Sequence, residues 1–236
     1  MSLKGFKSGT DIRGFGAEDF SEEKLYLSDE IVSRITVAFA DWLCKRNNKT
    51  YADLTVSVGR DSRVSGPRIA GKTAETLSAL GVTVKNCGLA STPAMFMSTL
   101  DLKCDGAVQV TASHHPWERN GLKFFTPDGG LEGSDISELL SSAENLDVTE
   151  LKADTEKIAD VDYMSDYAAR LRDMIKKGVN ACILLAVVVF NTVTWKKIGS
   201  DIAILGYYHK FIGFLTIIYI ITVFSLYFMQ RIRMNN

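Results

Sequence analysis

Residues 111–126 read TASHHPWERNGLKFFT, so one serine and two histidines stand directly behind a β-rich run. A serine hydroxyl is a weak nucleophile until a base or a prior derivatisation activates it. Once phosphorylated, Ser113 would carry roughly two negative charges and require cationic partners. The sequence offers Arg13 in GTDIRG, Arg60 and Arg63 in VGRDSRVSG, and Lys123 just beyond the loop. A hydroxyl ringed by cations suits phosphoryl transfer, which depends mostly on positioning and charge neutralisation. Two plainer readings stand beside this one. Ser-His-His-Pro is more often a solvated turn, and GTDIRG or GRDSR taken singly is a weak signal. His114 and His115 could bind a metal, but adjacent side chains seldom converge on one ion and no third ligand is near in sequence.

The elements that must carry this loop alternate. Ser28 reads as the N-cap of a helix whose first turn holds Asp29 and Glu30, followed by an apolar stripe Ile31, Ile35, Phe39, Leu43. LTVSV at 54–58 predicts a strand. Pro67 suits the first turn of a second helix, striped by Ile69, Thr73, Leu77 and Leu80 and stopped by Gly81. VTVKNC at 82–87 predicts a strand, and 92–100 a short helix capped by Thr92 with Pro93 in its first turn. GAVQVT (106–111) and LKFFT (122–126) are two more strands, joined through a tight turn at Asn120-Gly121. The turn would bring Ser113, His114, His115 and Lys123 close together. Asp135 to Ala143 is a helix. Asp160 to Lys177 is another, with Tyr163, Tyr167, Leu171 and Ile175 as its buried face and Gly178 as its end. Strands alternating with helices predict an α/β class, with a mixed sheet sandwiched between helices. Ser113 would then follow a strand end, where such folds bind ligands.

The 236 residues, with formal net charge -1 and 23% charged, give no global nucleic-acid footprint. Cys44, Cys87, Cys104 and Cys182 lack metal or redox spacing, so reduced thiols in a cytoplasmic setting are expected. The first residues contain no apolar signal region; a plastid location would require an upstream exon. Acidic residues nearly vanish after Ala181, where only Asp201 remains.

Taken together, SGTDIRG (8–14), VGRDSRVSG (58–66) and TASHHP…NGLKFF (111–125) resemble, in order and spacing, the first domain of the α-D-phosphohexomutases, the phosphoglucomutase and phosphomannomutase family. The resemblance covers residues 1 to about 180. His115 stands where the family usually has asparagine. The resemblance implies domain I over 1–150 and a linker and helix entering a truncated domain II over 151–180. It implies that Ser113 carries the phosphoryl group, moving it between C1 and C6 oxygens of a hexose phosphate through a bisphosphate intermediate. His114 and Lys123 would serve proton transfer or charge stabilisation. Arg13 would bind phosphate oxygens, with Arg60 on the phosphate side as support for the loop. Mg²⁺ is implied as cofactor, reached by Ser113 through its phosphate. Hexose phosphate and hexose bisphosphate are the implied partners, with no nucleic acid.

The family's other motifs have no match. Asp105-Gly106 continues as Ala-Val-Gln and Asp128-Gly129 as Gly-Leu-Glu, so neither is the Asp-Gly-Asp-x-Asp-Arg metal loop. The Gly-Glu-x-Ser-Gly sugar loop and the Arg-x-Ser-x-Thr-Glu-Pro phosphate loop are missing as well. A chain without them is expected to be truncated and to have little or no mutase activity alone. Residues 181–236 form a hydrophobic tail outside the family pattern, with 181–195 of buried-strand or re-entrant length. The charge-free stretch 211–229 is long enough for a transmembrane helix. The tail is either a membrane anchor or a gene-model artefact such as a retained intron. The alternative function is a non-catalytic, membrane-tethered phosphosugar-binding module or pseudoenzyme.

Overall fold

The computed structural model describes residues 2–198; of 180–198 only the helical backbone is described, apart from Ile183. The chain divides into two compact units, Met1–Ala168 and Ala169–Asn236.

The first unit is built on one mixed sheet. Its strands are β1 (Lys7–Ser8), β2 (Asp11–Phe15), β3 (Thr55–Arg60), β4 (Thr83–Leu89), β5 (Gly106–Val110), β6 (Arg119–Thr126), β7 (Gly129–Gly130) and β8 (Ile158–Asp160). The order across the sheet is β1-β2-β6-β5-β3-β4-β8, with β7 beside β6. Strands β5, β3, β4 and β8 run parallel, whereas β2 and β5 each pair antiparallel with β6.

The helices follow from sequence features. In α1 (Asp29–Asn47) the Ser28 hydroxyl accepts from Ile31 N, Asp29 and Glu30 face the helix dipole, and Asn48 closes the end in the left-handed region. Helix α2 (Gly66–Ala79) carries Pro67 in its first turn and is followed by Gly81 at φ 94°. Helix α3 (Thr92–Asp101) is capped by Ser91, whose hydroxyl accepts from Ala94 N, so the cap lies one residue before the expected Thr92. Helix α4 (Gly133–Ala143) opens on a capping box between Glu132 and Asp135.

Period-2 alternation along the strands sends side chains to two faces. Val56, Val58, Val108, Val110, Leu122 and Phe124 pack with Ile35, Phe39 and Leu43 of α1, Ile69 and Leu77 of α2, and Ile136, Leu139 and Leu140 of α4. Ala107 and Phe125 pack on the other face with Ala94 and Met95 of α3 and with Tyr163. Each fully buried Leu, Ile or Phe contributes about 1.5–3 kcal/mol, so these two layers hold the sandwich. The expected mixed sheet between helices is therefore the fold. Strand β3 leads through α2 to β4 on one side, and β4 leads back through α3 to β5 on the other. The two crossovers lie on opposite faces of the sheet, and the carboxyl ends of β3 and β5 at that switch are where open α/β sheets bind ligands.

Several expectations need correction. Asn120-Gly121 is not a turn but part of β6: Asn120 is buried and donates to Ser65 Oγ at 2.9 Å, and pairing with β2 outweighs the local turn preference. Asp160 ends strand β8, because β4 has an edge to satisfy and Asn86 Nδ2 donates to Asp160 Oδ1 at 2.7 Å. Helix α5 (Tyr163–Ile198) then starts at Tyr163, passes Gly178 and continues through the 181–195 run, which is helical and not a strand. A glycine inside a helix costs only about 1 kcal/mol relative to alanine, too little to end a helix flanked by good helix formers. The expected buried face holds for Tyr163, 1% exposed with its hydroxyl on Asp101 Oδ2; Leu171 and Ile175 are 38% and 64% exposed. Among the described residues no helix is long and apolar enough to cross a membrane, and the 211–229 stretch lies outside the described residues.

Candidate functional site

Two loops leave the carboxyl ends of β3 and β5. The first, residues 61–65, carries Asp61 and Arg63. The second, residues 111–118, carries Ser113, His114 and His115. Ser113 sits at φ 57°, in the left-handed region that costs a non-glycine residue about 1–2 kcal/mol. Its N–H donates to Thr111 Oγ1 at 2.9 Å, and His115 N–H reaches back to Ala112 O at 3.1 Å, closing a tight turn. The Ser113 side chain is exposed, with its Oγ 3.5 Å from His114 Nδ1, at the outer edge of a hydrogen bond. The His114 and His115 rings stack with centroids 5.1 Å apart.

Arg63 joins the two loops. Its Nη2 donates to the carbonyls of Ser113 and His115, both at 2.8 Å. Its Nη1 donates to those of Pro116 at 2.6 Å and Arg119 at 2.8 Å. Nε completes the set on Asp61 Oδ2 at 3.2 Å, and that oxygen also accepts from Thr111 Oγ1 at 2.7 Å.

Beside the loop, strands β2 and β6 present a partly buried charge cluster. Asp11 Oδ2 accepts from Arg13 Nη2 and Asp11 Oδ1 from Lys123 Nζ, each at 2.7 Å. The side chains are 9% exposed for Asp11, 14% for Arg13 and 25% for Lys123. Arg13 lies opposite Gly121 in the β2–β6 register. A Cβ at Gly121 would fall 2.3 Å from Ile12 O and 3.0 Å from both Arg13 Cγ and Thr111 O, so only glycine lets these strands close here. Arg13 Nε is buried without a partner. Burial, and then the positive charges of Arg13, His114, Arg119 and Arg63, hold the His115 imidazole below its ordinary pKa. The loop thus sits in a cationic field.

The structure gathers Ser113, His114 and His115 on one loop and places Arg13 among the charges acting on His115. Lys123 is engaged by Asp11. Arg60 Nη1 donates to Asp61 O at 3.2 Å, while the hydrogen bonds that hold the serine loop come from Arg63. Asp11, Asp61 and Thr111 were not singled out from sequence. The one legible signal was Asp-x-Arg: Asp61 Oδ1 accepts from Arg63 N at 3.1 Å, the Asx turn that this spacing favours. A pocket of about 320 Å³ opens next to the loop, with Trp117, Val64, Ser65 and Arg68 on its walls. Ser113, Arg13 and Lys123 do not line it.

The implied Mg²⁺ does not fit the residues described. Among them no cluster of three or more His, Cys, Asp or Glu side chains could hold a metal ion. Asp61, bonded to Arg63 and Thr111, and Asp11, bonded to Arg13 and Lys123, already accept from arginine, lysine and threonine donors.

The sheet and the helices on its two faces define a three-layer α/β/α domain. The family model described as phosphoglucomutase/phosphomannomutase, alpha/beta/alpha domain I, matches residues 9–147, and the chain belongs to that family. The chain is 29% identical over 178 residues to a phosphoglucosamine mutase of Nautilia profundicola, covering 73% of this chain and 37% of that one. It is 29% identical over 196 residues to a phosphoglucosamine mutase of Rhizobium etli, covering 76% and 42%. A crystal structure of a phosphoglucomutase/phosphomannomutase family protein from Burkholderia thailandensis superposes with TM-score 0.57 at 26% identity, covering 72% of this chain and 35% of that one. The chain therefore spans about two fifths of the length of the relatives it matches.

Proposed function

We propose that Ser113 is the phosphoryl carrier of a hexose-phosphate mutase reaction. The observation that carries this reading is an exposed hydroxyl at a strained φ of 57°, on a loop bound by Arg63 and set in the field of Arg13 and Arg119. Membership of the family and the mutase names of its relatives support the reaction class.

The step is an exchange at phosphorus. Ser113 Oγ forms a bond to the phosphorus of a hexose bisphosphate, and the bond from phosphorus to the sugar oxygen breaks. The sugar oxygen leaves with the electron pair and takes up a proton, giving a hexose monophosphate. The proton lost by Ser113 passes to a neighbouring base, and His114 Nδ1 at 3.5 Å is positioned to receive it. Arg13 and Lys123 supply positive charge for the phosphoryl oxygens, with Arg60 further back beside Asp61. The reverse step onto the other sugar oxygen moves phosphate between C1 and C6.

Substrate orientation needs contacts remote from the transferred group. With two fifths of the relatives' length, this chain alone is expected to accept phosphate at Ser113 while turning substrate over little. The test is intact mass after incubation with hexose 1,6-bisphosphate, beside a coupled mutase assay. One added phosphate, absent from Ser113→Ala, supports the reading. An unmodified chain, or a phosphate that persists in Ser113→Ala, overturns it. Turnover near that of a full-length relative overturns the expectation of low activity.

A further inference from the structure

The Arg63 guanidinium has five N–H donors, and the structure gives each an acceptor: Asp61 Oδ2 and the carbonyls of Ser113, His115, Pro116 and Arg119. Its side chain is 11% exposed. An arginine so engaged has no donor left for a phosphate oxygen. Four of the acceptors are backbone oxygens of the serine loop and the first residue of β6, reached from the end of a strand two positions across the sheet from β6. We infer that Arg63 is the positioning residue of the serine loop: with Asp61 and Thr111 it holds Ser113 in its positive-φ conformation and so aims the hydroxyl, without binding phosphate itself. This rests on the phosphoserine reading for its chemical consequence, but the clamp can be tested without it.

The geometry shows why the clamp has to be this strong. A residue at φ 57° relaxes to an ordinary conformation unless its neighbours hold it. Thr111 Oγ1 binds the N–H of Ser113 and Arg63 binds its carbonyl, so both peptide planes flanking the residue are held. Asp61 joins the two restraints, accepting from Thr111 Oγ1 and Arg63 Nε on the same oxygen. Lysine keeps the charge at position 63 but has three donors on one rotating ammonium and no planar fork. It cannot hold four carbonyls spread over residues 113–119.

Two measurements on the full chain test this, using Arg63→Lys, with Thr111→Val as a second route to the same loop. In single-turnover phosphorylation by hexose 1,6-bisphosphate, both variants are expected to lose on the order of 100-fold in the saturating rate, the loss a misplacement of about 1 Å brings, with the half-saturating concentration little changed. A half-saturation that worsens in step with the rate makes Arg63 a phosphate ligand and overturns the inference. Amide exchange of His115 and Arg119 is expected to accelerate about tenfold or more in Arg63→Lys, while amides of β3 and β5 keep their protection. Unchanged exchange in the folded variant overturns the clamp. If the wild-type chain takes no phosphate, the phosphoserine reading fails while the exchange data still decide the role of Arg63.

Discussion

Asp11 and Lys123 face each other across the β2–β6 pairing, carboxylate oxygen to ammonium at 2.7 Å, and the second oxygen of Asp11 holds Arg13 at the same distance. One buried negative charge thus keeps two cations together at the edge of the serine loop. Asp11→Asn keeps the shape and one acceptor but leaves two partly buried cations facing each other. Breaking a buried pair costs about 3–5 kcal/mol, and the partial exposure of Arg13 and Lys123 reduces this to about 1–3 kcal/mol. Urea unfolding should show a lower midpoint with an unchanged slope. Isothermal titration should show tighter binding of inorganic phosphate, because the cations are released from their internal partner. A variant as stable as the wild type would mean that the cluster is not a restraint.

Ser113 adopts a backbone conformation that suits glycine better than serine. Ser113→Gly and Ser113→Ala both remove the hydroxyl, but only glycine removes the strain. The glycine variant should be more stable than the alanine variant by about 1 kcal/mol, read from their denaturation midpoints. Equal stabilities would show that Ser113 is not strained in solution.

His115 should titrate below the ordinary imidazole value of 6.5, because burial and the charges of Arg13, His114, Arg119 and Arg63 oppose its protonation. The unfolded chain then binds more protons at this position as pH falls through 6.5. The folded state therefore loses stability from that pH downward, until the depressed midpoint is passed. From about one pH unit above 6.5 the histidine is neutral in both states and contributes no slope. NMR titration of the imidazole protons would show the depressed midpoint, and phosphate on Ser113 should move it upward. A midpoint above 6.5 in the unphosphorylated chain would contradict the cationic field at the loop.

Two glycines make a matched pair. Gly121→Ala puts a Cβ 2.3 Å from Ile12 O, against backbone that cannot move without parting β2 from β6. It should destabilise by about 3 kcal/mol, within the range for forcing atoms into a closed core. Gly71, inside α2, has nothing within 4 Å of its Cβ position. Gly71→Ala should stabilise by about 0.5–1 kcal/mol through helix propensity. Thermal or urea unfolding of both variants checks the contrast.

The sequence alone was enough for features that depend on neighbours within a few residues. The Ser28 cap, the stripe through Ile35, Phe39 and Leu43, Pro67 at the start of α2 and the apolar run of β5 all express local periodicity and backbone preference. The three motifs around Arg13, Arg60 and Ser113 were legible in the same way, as residue types in fixed order. Only the tertiary structure could decide which donor meets which acceptor. Asn120-Gly121 reads locally as a turn, yet register with β2 makes it strand. Lys123 looks free to face Ser113 until the same register sets Asp11 against it. Arg60 and Arg63 are equivalent as arginines three positions apart, and just one of them reaches four carbonyls some fifty residues away. The cause is common to all three cases: a backbone preference is settled within a turn or two of chain, whereas a hydrogen-bond partner depends on how distant strands align.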